Sequence, residues 1–445
     1  MSQSVTRSLV AIYGTMFAAG LAFGLVLPAI SIRLDSVGHD PGTIGAVAAM
    51  ASLAVLVMAG KVPSLHARFG MIPIIIVSLV AQCILYLIFP HIDHLAWWFI
   101  LTFVFGLVNT VPWVMGEVWL NAVVPSGKRG LFMAIYAGIW GAGMASGPQI
   151  MLAVGSEGNG PFYAAAVVYG LCSLWVLLLR KTAPEVEPDQ HTGTLRGTFA
   201  MIWLMPILVL YAIAGGLAET IIYAMMPIYA LGRGYGDAFG AHLISAFAAG
   251  GIILQFGVGY LSDYIRPRFV MTGLLGLGAL TALALPLAGD TLWLAFAICF
   301  LFGGMAMSVY TLAITLVGHG IAKQHLSTAH ALMVMCYTFG GLIGPGLAGL
   351  AIDWFEPAAM MWFVALIFGP RVFRRAGLLQ TPAGRPGIAR GGGVRAMEAF
   401  DDNGIVLSAR AYGDSSAVVN ILCEHQGASC RYAPRCYLKP PAWGG

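Results

Sequence analysis

Charge is what this chain has least of. Only 9% of its 445 residues are Asp, Glu, Lys or Arg, against about 25% in soluble domains. That is too little to cover a globular surface in water, which excludes a soluble domain of this size. The motifs of common catalytic and cofactor sites are absent too: there is no H-E-x-x-H, no G-x-S-x-G and no phosphate-binding loop. No catalytic residue, metal or cofactor is therefore implied. Cysteine offers nothing either. Cys83, Cys172, Cys299 and Cys336 lie singly in apolar runs, as small packing residues do. Cys423, Cys430 and Cys436, with His425 among them, lack the C-x₂-C pair of a zinc site. A cleavable leader is not visible: the first apolar run, residues 9–30, is too long for a signal core and is expected to stay as the first helix.

Apolar length is what the chain has instead. A membrane helix needs about 20 apolar residues, and charges and turn residues cut the sequence into twelve such spans. They cover residues 9–32, 43–60, 71–90, 95–120, 130–154, 161–179, 201–231, 238–259, 269–288, 291–317, 326–352 and 357–370. The positive-inside rule tests this division. With the N-terminus in the cytoplasm, fourteen of the 23 Lys and Arg residues fall on the cytoplasmic side and two, Arg33 and Arg233, on the other; the remaining seven lie beyond residue 380. A miscounted span would have scrambled that alternation. The twelfth span is short, with about twelve apolar residues before Pro370 and "RVFRR".

The spans repeat. Pro28 and Gly60 are 32 residues apart, as are Pro227 and Gly259, and "SGPQ" at 146–149 corresponds to "IGPG" at 343–346. The expected organisation is a six-helix bundle over 1–181, a cytoplasmic linker over 182–200 and a second six-helix bundle over 201–370. A basic, glycine-rich disordered linker (371–396), a strand-pair fragment (397–427) and an unassigned tail (428–445) follow. Two six-helix halves about a midplane cavity are a transporter architecture.

The loop after the eighth span reads "GYLSDYIRPR". It resembles the cytoplasmic loop signature G-x-L-[A/S]-D-x-x-x-R-R of the major facilitator superfamily (MFS). The resemblance covers about residues 5–370 and implies an all-α, twelve-helix fold that rocks about a central site. It also implies that Asp263 pairs with Arg266 and Arg268 as a cytoplasmic latch, with Gly259 admitting close helix packing. In the first half, "GKVPSLHARFG" keeps Gly60, Arg68 and Gly70, but Ser64 stands where the repeat has Asp263. "GAGMASGP" is similar to the family's Gly-Pro motif through Gly143, Gly147 and Pro148, with Gly344 and Pro345 as repeat counterparts. Thr102, four residues before Gly106, stands where many family members carry Arg, against a drug–proton antiporter of the familiar kind. "GEVWLN" at 116–121 is similar to a subset of the family with poorly defined substrates.

Ionisable groups inside a bilayer are costly and mark function by default. Glu219 lies in the seventh span with apolar sequence on both sides and no basic residue in that span. Hydrocarbon favours a neutral carboxyl over a charged one, so Glu219 is the leading candidate for proton coupling or substrate contact. Glu117, near the end of the fourth span beside Trp119 and Asn121, is either a second such group or an interfacial anchor. Asn109, Gln149 and Gln255 are candidate uncharged lining residues at midplane depth; each could equally serve as helix glue. With no Lys or Arg at that depth, a strongly anionic substrate is disfavoured. The expected function is a secondary transporter, with a small-molecule substrate and protons as partners and no nucleic acid. It is expected as a monomer in a bacterial-type inner membrane, with both termini cytoplasmic. A membrane sensor without flux would share the fold.

The tail breaks this pattern. "GIVLSARAY" and "SSAVVNILCEH" alternate apolar and polar residues around "GD", as a pair of strands does. Residues 397–427 resemble the N-terminus of the DNA repair protein RecO through Gly404–Leu407, Arg410, Gly413, Ser415 and Ser416. An OB-fold needs five strands, and two are expected here, so the fragment could not bind single strands as that fold does. A repair-protein fragment misjoined to a transporter gene accounts for the passage, and resequencing codons 355–445 checks it: the reading predicts a frame error there, and an intact frame removes it.

Overall fold

The apolar runs become helices. The structure, a computed structural model, describes residues 3–124, 129–156, 158–180, 202, 205–265, 267–320, 326–369, 404–411, 416–423 and 427–434. In the first half lie α1 (Gln3–Ser36), α2 (Pro41–Ala59), α3 (Val62–Phe69), α4 (Met71–Ile88), α5 (Leu95–Val123), α6 (Arg129–Val154) and α7 (Gly160–Leu179). The second half has α8 (Pro206–Gly232), α9 (Asp237–Tyr264), α10 (Pro267–Ala284), α11 (Leu292–Gly320), α12 (Leu326–Trp354) and α13 (Ala359–Phe368). Each of the twelve expected spans coincides with one of these helices. Among the described residues, ten are long and apolar enough to cross a membrane; the chain is an integral membrane protein. Helix α13 has ten residues, a rise of about 15 Å. The linkers at 182–200 and 371–396 lie outside the described residues.

Helix α3 was not expected. It fills the loop after α2 and stops at Gly70, whose φ of +82° puts its backbone where a side chain is strained. Glycine is needed there for geometry.

Helix crossings explain the glycine and proline repeats. A Cβ at Gly147 would lie 2.5 Å from the Gly24 carbonyl carbon, and one at Gly143 would lie 2.7 Å from the Leu21 amide nitrogen. Gly20 and Gly24 press in turn on the backbone of Trp140 and Met144, so α1 and α6 meet backbone to backbone. The second half repeats this: Gly340 and Gly344 of α12 meet α8 at Ile213 and Leu217, and Gly216 of α8 meets Tyr337. Pro148 and Pro345 lie within α6 and α12, as Pro28 and Pro227 lie within α1 and α8.

The two halves meet where α2 packs on α12, α6 on α9 and α1 on α8. Call the end of the bundle where α1 begins the terminal end, and the opposite one the far end. Near the far end, the carbonyl of Pro345 and the amide of Gly346 approach Gly45, and Pro41 approaches Gly349. The Gly42 amide donates to Asp353 Oδ2 at 2.9 Å. Asp40 caps the same helix, accepting from the Thr43 amide at 2.7 Å, and these bonds hold its carboxyl below the usual carboxylate range. Ser156, after α6, bonds Asp237 in the first turn of α9, the counterpart of the α2–α12 contact in the repeat. At the terminal end, by contrast, a Cβ at Gly60, Gly138, Gly257 or Gly259 would meet no described atom within 4 Å. The close packing implied at Gly259 is absent in this conformation.

Asp353→Ala removes the acceptor from Gly42. About 1 kcal/mol for such a bond is about fivefold in an opening equilibrium. Maleimide labelling of a cysteine placed at Ile44, which is 1% exposed, is expected to quicken by about that factor; an unchanged rate would show that this bond does not hold the far end closed.

The tail is a separate unit. It forms a three-stranded antiparallel sheet in the order β1 (Gly404–Ala411), β2 (Ser416–Cys423), β3 (Gly427–Pro434). The register runs from Gly404↔Cys423 to Ala411↔Ala417 and from Ser416↔Pro434 to Cys423↔Gly427, with an irregularity between Val406 and Ser408. Two strands were expected. The third falls on "GASCRYAP", where Ala428, Cys430 and Tyr432 alternate with Ser429 and Arg431, a strand periodicity in a segment set aside because the repair-protein resemblance stops there.

Candidate functional site

Glu219 is the central residue of α8 and is 8% exposed. The Tyr337 hydroxyl of α12 donates to its Oε2, and no ion pair reaches it among the described residues. The Tyr337 ring packs against that of Tyr310 of α11, with centroids 4.3 Å apart and planes inclined at 46°. The "AGGLAE" sequence makes room for this pair: a Cβ on Gly215 would sit 3.2 Å from Tyr310 Cβ and 3.4 Å from Tyr337 Cε2. One turn beyond Glu219, on the same helix face, Tyr223 is fully buried and its hydroxyl has no partner among the described residues. Phe23 of α1 meets the Tyr223 ring edge-on at 5.7 Å, across the seam between the halves.

Glu117 contributes from the other half. Its Oε1 accepts from the Trp113 indole N–H, one turn earlier on α5, at 3.1 Å. Trp113 stacks on Trp140 of α6, with centroids 6.0 Å apart and planes within 20°, and Trp140 lies 6.1 Å from Phe23. The Tyr136 hydroxyl donates to the Trp113 carbonyl at 3.1 Å, and a Cβ on Gly116 would fall 2.7 Å from that hydroxyl. Asn121 is used locally, its Nδ2 donating to the Glu117 carbonyl at 2.9 Å. Trp119, placed at the interface by the anchor reading of Glu117, is 1% exposed and inside the bundle. The two aromatic sets are linked through Phe23, 6.1 Å from Trp140 and 5.7 Å from Tyr223. Trp113, Glu117, Trp140, Tyr310, Tyr337 and Phe23 are each half-buried.

The other lining candidates do not converge here. Asn109 is inside the first half, accepting from the Tyr169 hydroxyl at 3.0 Å in a group with Tyr86 and Gln82. Gln149 bridges the seam, donating to Ser245 Oγ at 2.9 Å while Ser245 donates to the Ala145 carbonyl at 2.7 Å. Gln255 lines a separate small pocket between α9 and α11, with Ser262, Ser308 and Thr311. Of the latch, Asp263 ends α9 and Arg268 begins α10; Arg266 and the pairing of these side chains lie outside the described residues. Arg68 lies over the Phe69 ring at 5.1 Å. The aromatic residues were missed because in an apolar run they read as core or lipid contact. Helical spacing could have found two of them, Trp113 at i−4 from Glu117 and Tyr223 at i+4 from Glu219.

Comparison with known proteins agrees with this architecture. The family model described as Major Facilitator Superfamily matches residues 12–345. YfkF of Bacillus subtilis (strain 168), an uncharacterized MFS-type transporter, is 25% identical over 351 residues, covering 78% of this chain and 89% of its own. YcaD of Escherichia coli (strain K12 / DH10B), also an uncharacterized MFS-type transporter, is 21% identical over 276 residues, 61% of this chain and 69% of its own. Among solved structures, a mutant of the nucleoside transporter NupG superposes with a TM-score of 0.70 at 12% identity, covering 84% of this chain and all of that one. A bacterial homologue of the human lysosomal transporter Spinster, in an inward-facing and unoccupied conformation, gives 0.62 at 15% identity, covering 85% and 93%. These structural likenesses show the fold.

Proposed function

The chain belongs to the Major Facilitator Superfamily, and on that premise we propose that it moves a small organic solute by proton-coupled alternating access, with Glu219 as the proton-carrying group. It is a secondary transporter and not an enzyme; the solute, the proton and the assignment of Glu219 are our reading. The observation that carries it is a buried carboxyl at the centre of α8 whose described partner is a tyrosine hydroxyl and not a cation. Charging such a group costs free energy that a proton removes. A step that exposes Glu219 to one side and then the other therefore favours a different protonation state at each stage. The titratable groups that face it are Tyr337, Tyr223 and Tyr310, with Glu117 beyond Tyr310 and Cys299 and Cys336 behind the tyrosines.

The charge alternation of the loops supports a cytoplasmic terminal end in a bacterial-type inner membrane. In that orientation the far-end contacts of Gly42 with Asp353 and Ser156 with Asp237 close the outer side, and the site opens to the cytoplasm. The Asp263 latch would then form in the opposite state. We take the working unit as one chain, since both halves and both acids are in it. The tail carries none of the transport groups. Its resemblance to RecO supports reading residues 397–427 as a fragment unconnected with transport.

The test is solute-dependent proton flux in proteoliposomes under a pH gradient, with a metabolite panel. Flux in the wild type that disappears in Glu219→Gln supports the reading. Solute flux indifferent to the gradient contradicts coupling, and binding with no flux would favour a sensor.

A further inference from the structure

We propose that the solute is an organic cation with a flat or aromatic body, seated among Trp113, Trp140, Tyr310 and Tyr337, with Glu117 and Glu219 as its countercharges. The proposal rests on the transport reading above and names its substrate class.

Three features lead to it. The first is charge. Among the described residues, Glu117 and Glu219 are the only charged side chains set at least six residues inside a membrane helix from both of its ends. Both are acids, and no basic residue in these spans offsets them. A site of two carboxyls without a base selects against anions and leaves a neutral solute's polar groups facing charges they only partly satisfy.

The second is the faces presented. Trp113 and Trp140 form a nearly parallel pair, and Tyr310 and Tyr337 form a second pair on the opposite half. Each of these rings is half-buried, so none is closed off on every side. A cation over an aromatic face is attracted by the ring quadrupole, most strongly for Trp. Each carboxyl is held by the aromatic set it serves: Glu117 by the Trp113 indole and Glu219 by the Tyr337 hydroxyl. Both therefore keep an orientation toward the rings.

The third is placement across the seam. Glu117 belongs to the first half and Glu219 to the second, and Phe23 joins their surroundings, with its ring 6.1 Å from Trp140 and 5.7 Å from Tyr223. A cation bridging them draws the halves together at the site. It also binds the two conformations unequally, as a transported solute must if it is to shift their balance. The amides that would recognise a neutral polar solute are occupied elsewhere, Asn109 by Tyr169 and Gln149 by Ser245.

The test uses the full chain in nanodiscs and three probes: N-methylquinolinium, its neutral isostere 1-methylnaphthalene and adenosine. We expect saturable binding of N-methylquinolinium, at least about tenfold tighter than either neutral probe. Glu117→Gln and Glu219→Gln should each weaken it by at least about tenfold, the scale of a close charge pair. Trp140→Ala should weaken it by about 3- to 30-fold. Trp140→Phe keeps a face and should recover most of that loss, which a merely structural role would not. Equal binding of 1-methylnaphthalene, preferential binding of adenosine, no binding of the cation, or indifference of the folded Glu117→Gln protein would overturn the proposal. The two readings can fail apart. Proton-coupled flux of adenosine would keep the transport reading and remove the cation. Tight cation binding without flux would keep the cation site and remove the transport reading.

Discussion

Glu219→Gln is expected to abolish the pH dependence of solute binding and with it proton-driven accumulation, while the protein still folds. Gln keeps the shape and can still accept from the Tyr337 hydroxyl, so packing around the Tyr310–Tyr337 pair is retained. It cannot gain or lose a proton. If the proton and the solute are coupled through this residue, the affinity difference between low and high pH is a coupling free energy, commonly about 5–150-fold. That factor should fall to one in the variant. Exchange of solute down its own gradient needs no proton and should continue at saturating solute, with the lowered affinity expected from loss of one countercharge. Binding isotherms at two pH values and parallel counterflow in proteoliposomes read both. A variant that keeps the wild-type pH shift would remove Glu219 from the coupling step, and one that loses counterflow as well would make it part of the binding surface alone.

The second large effect concerns folding. Gly147→Val would drive a side chain into the backbone of α1, where the Gly24 carbonyl carbon and the Leu25 amide nitrogen are 2.5 Å and 2.6 Å from the new Cβ. Backbone atoms cannot rotate away as a flexible side chain would, so α1 and α6 must separate along the crossing. Overpacking of a close contact costs about 1–3 kcal/mol and sometimes more, and a backbone clash belongs at or above the upper figure. Gly340→Val should do the same at the α8–α12 crossing, where it meets the backbone of Ile213 and Leu217. Gly60→Val is the control: its Cβ would meet nothing described within 4 Å, and Gly60 has a φ of −71° that any residue adopts. Thermal unfolding in detergent should rank the first two well below wild type and the third beside it. A Gly147→Val protein as stable as the control would mean the helices are not packed as described.

The helices were legible because a bilayer imposes one length on every span, and among the described residues ten helices meet it. Helix α3 escaped because eight residues between two spans carry no periodicity long enough to read. The Gly-Pro repeats were legible as packing residues, since small residues four apart have one main use between membrane helices. For Gly259 the same reasoning failed. Small size permits close approach and does not require it, and no described atom lies within 4 Å of where a Cβ on Gly259 would be.

The site divides along a similar line. Glu117 and Glu219 stand out because charge in an apolar run is costly, although an interfacial anchor at Glu117 or a structural hydrogen bond at Glu219 would read the same in sequence. Asn109, Gln149 and Gln255 were grouped by an expected depth that the fold does not keep: Gln149 bonds Ser245, ten residues and about 15 Å along α9 from Gln255, and Asn109 bonds Tyr169 within the first half. Tyr310 and Tyr337 were invisible for the opposite reason. Aromatic side chains belong equally to core, lipid surface and binding site, and Tyr337 is 118 residues from the carboxyl it serves. Only the fold brings them together.

Under the proposed function, the two halves rock about the acids so that the ends of the bundle open in alternation. Two spin-label pairs measure this directly, in a protein whose native cysteines are replaced. Val37 and Phe355, 62% and 76% exposed, report the far end, while Phe69 and Tyr264, 53% and 73% exposed, report the terminal end. Changing pH across the titration of the site should lengthen one distance and shorten the other in the wild type, and Glu219→Gln should hold both at one value. Distances that stay fixed with pH, or that lengthen together, would contradict alternating access gated at Glu219.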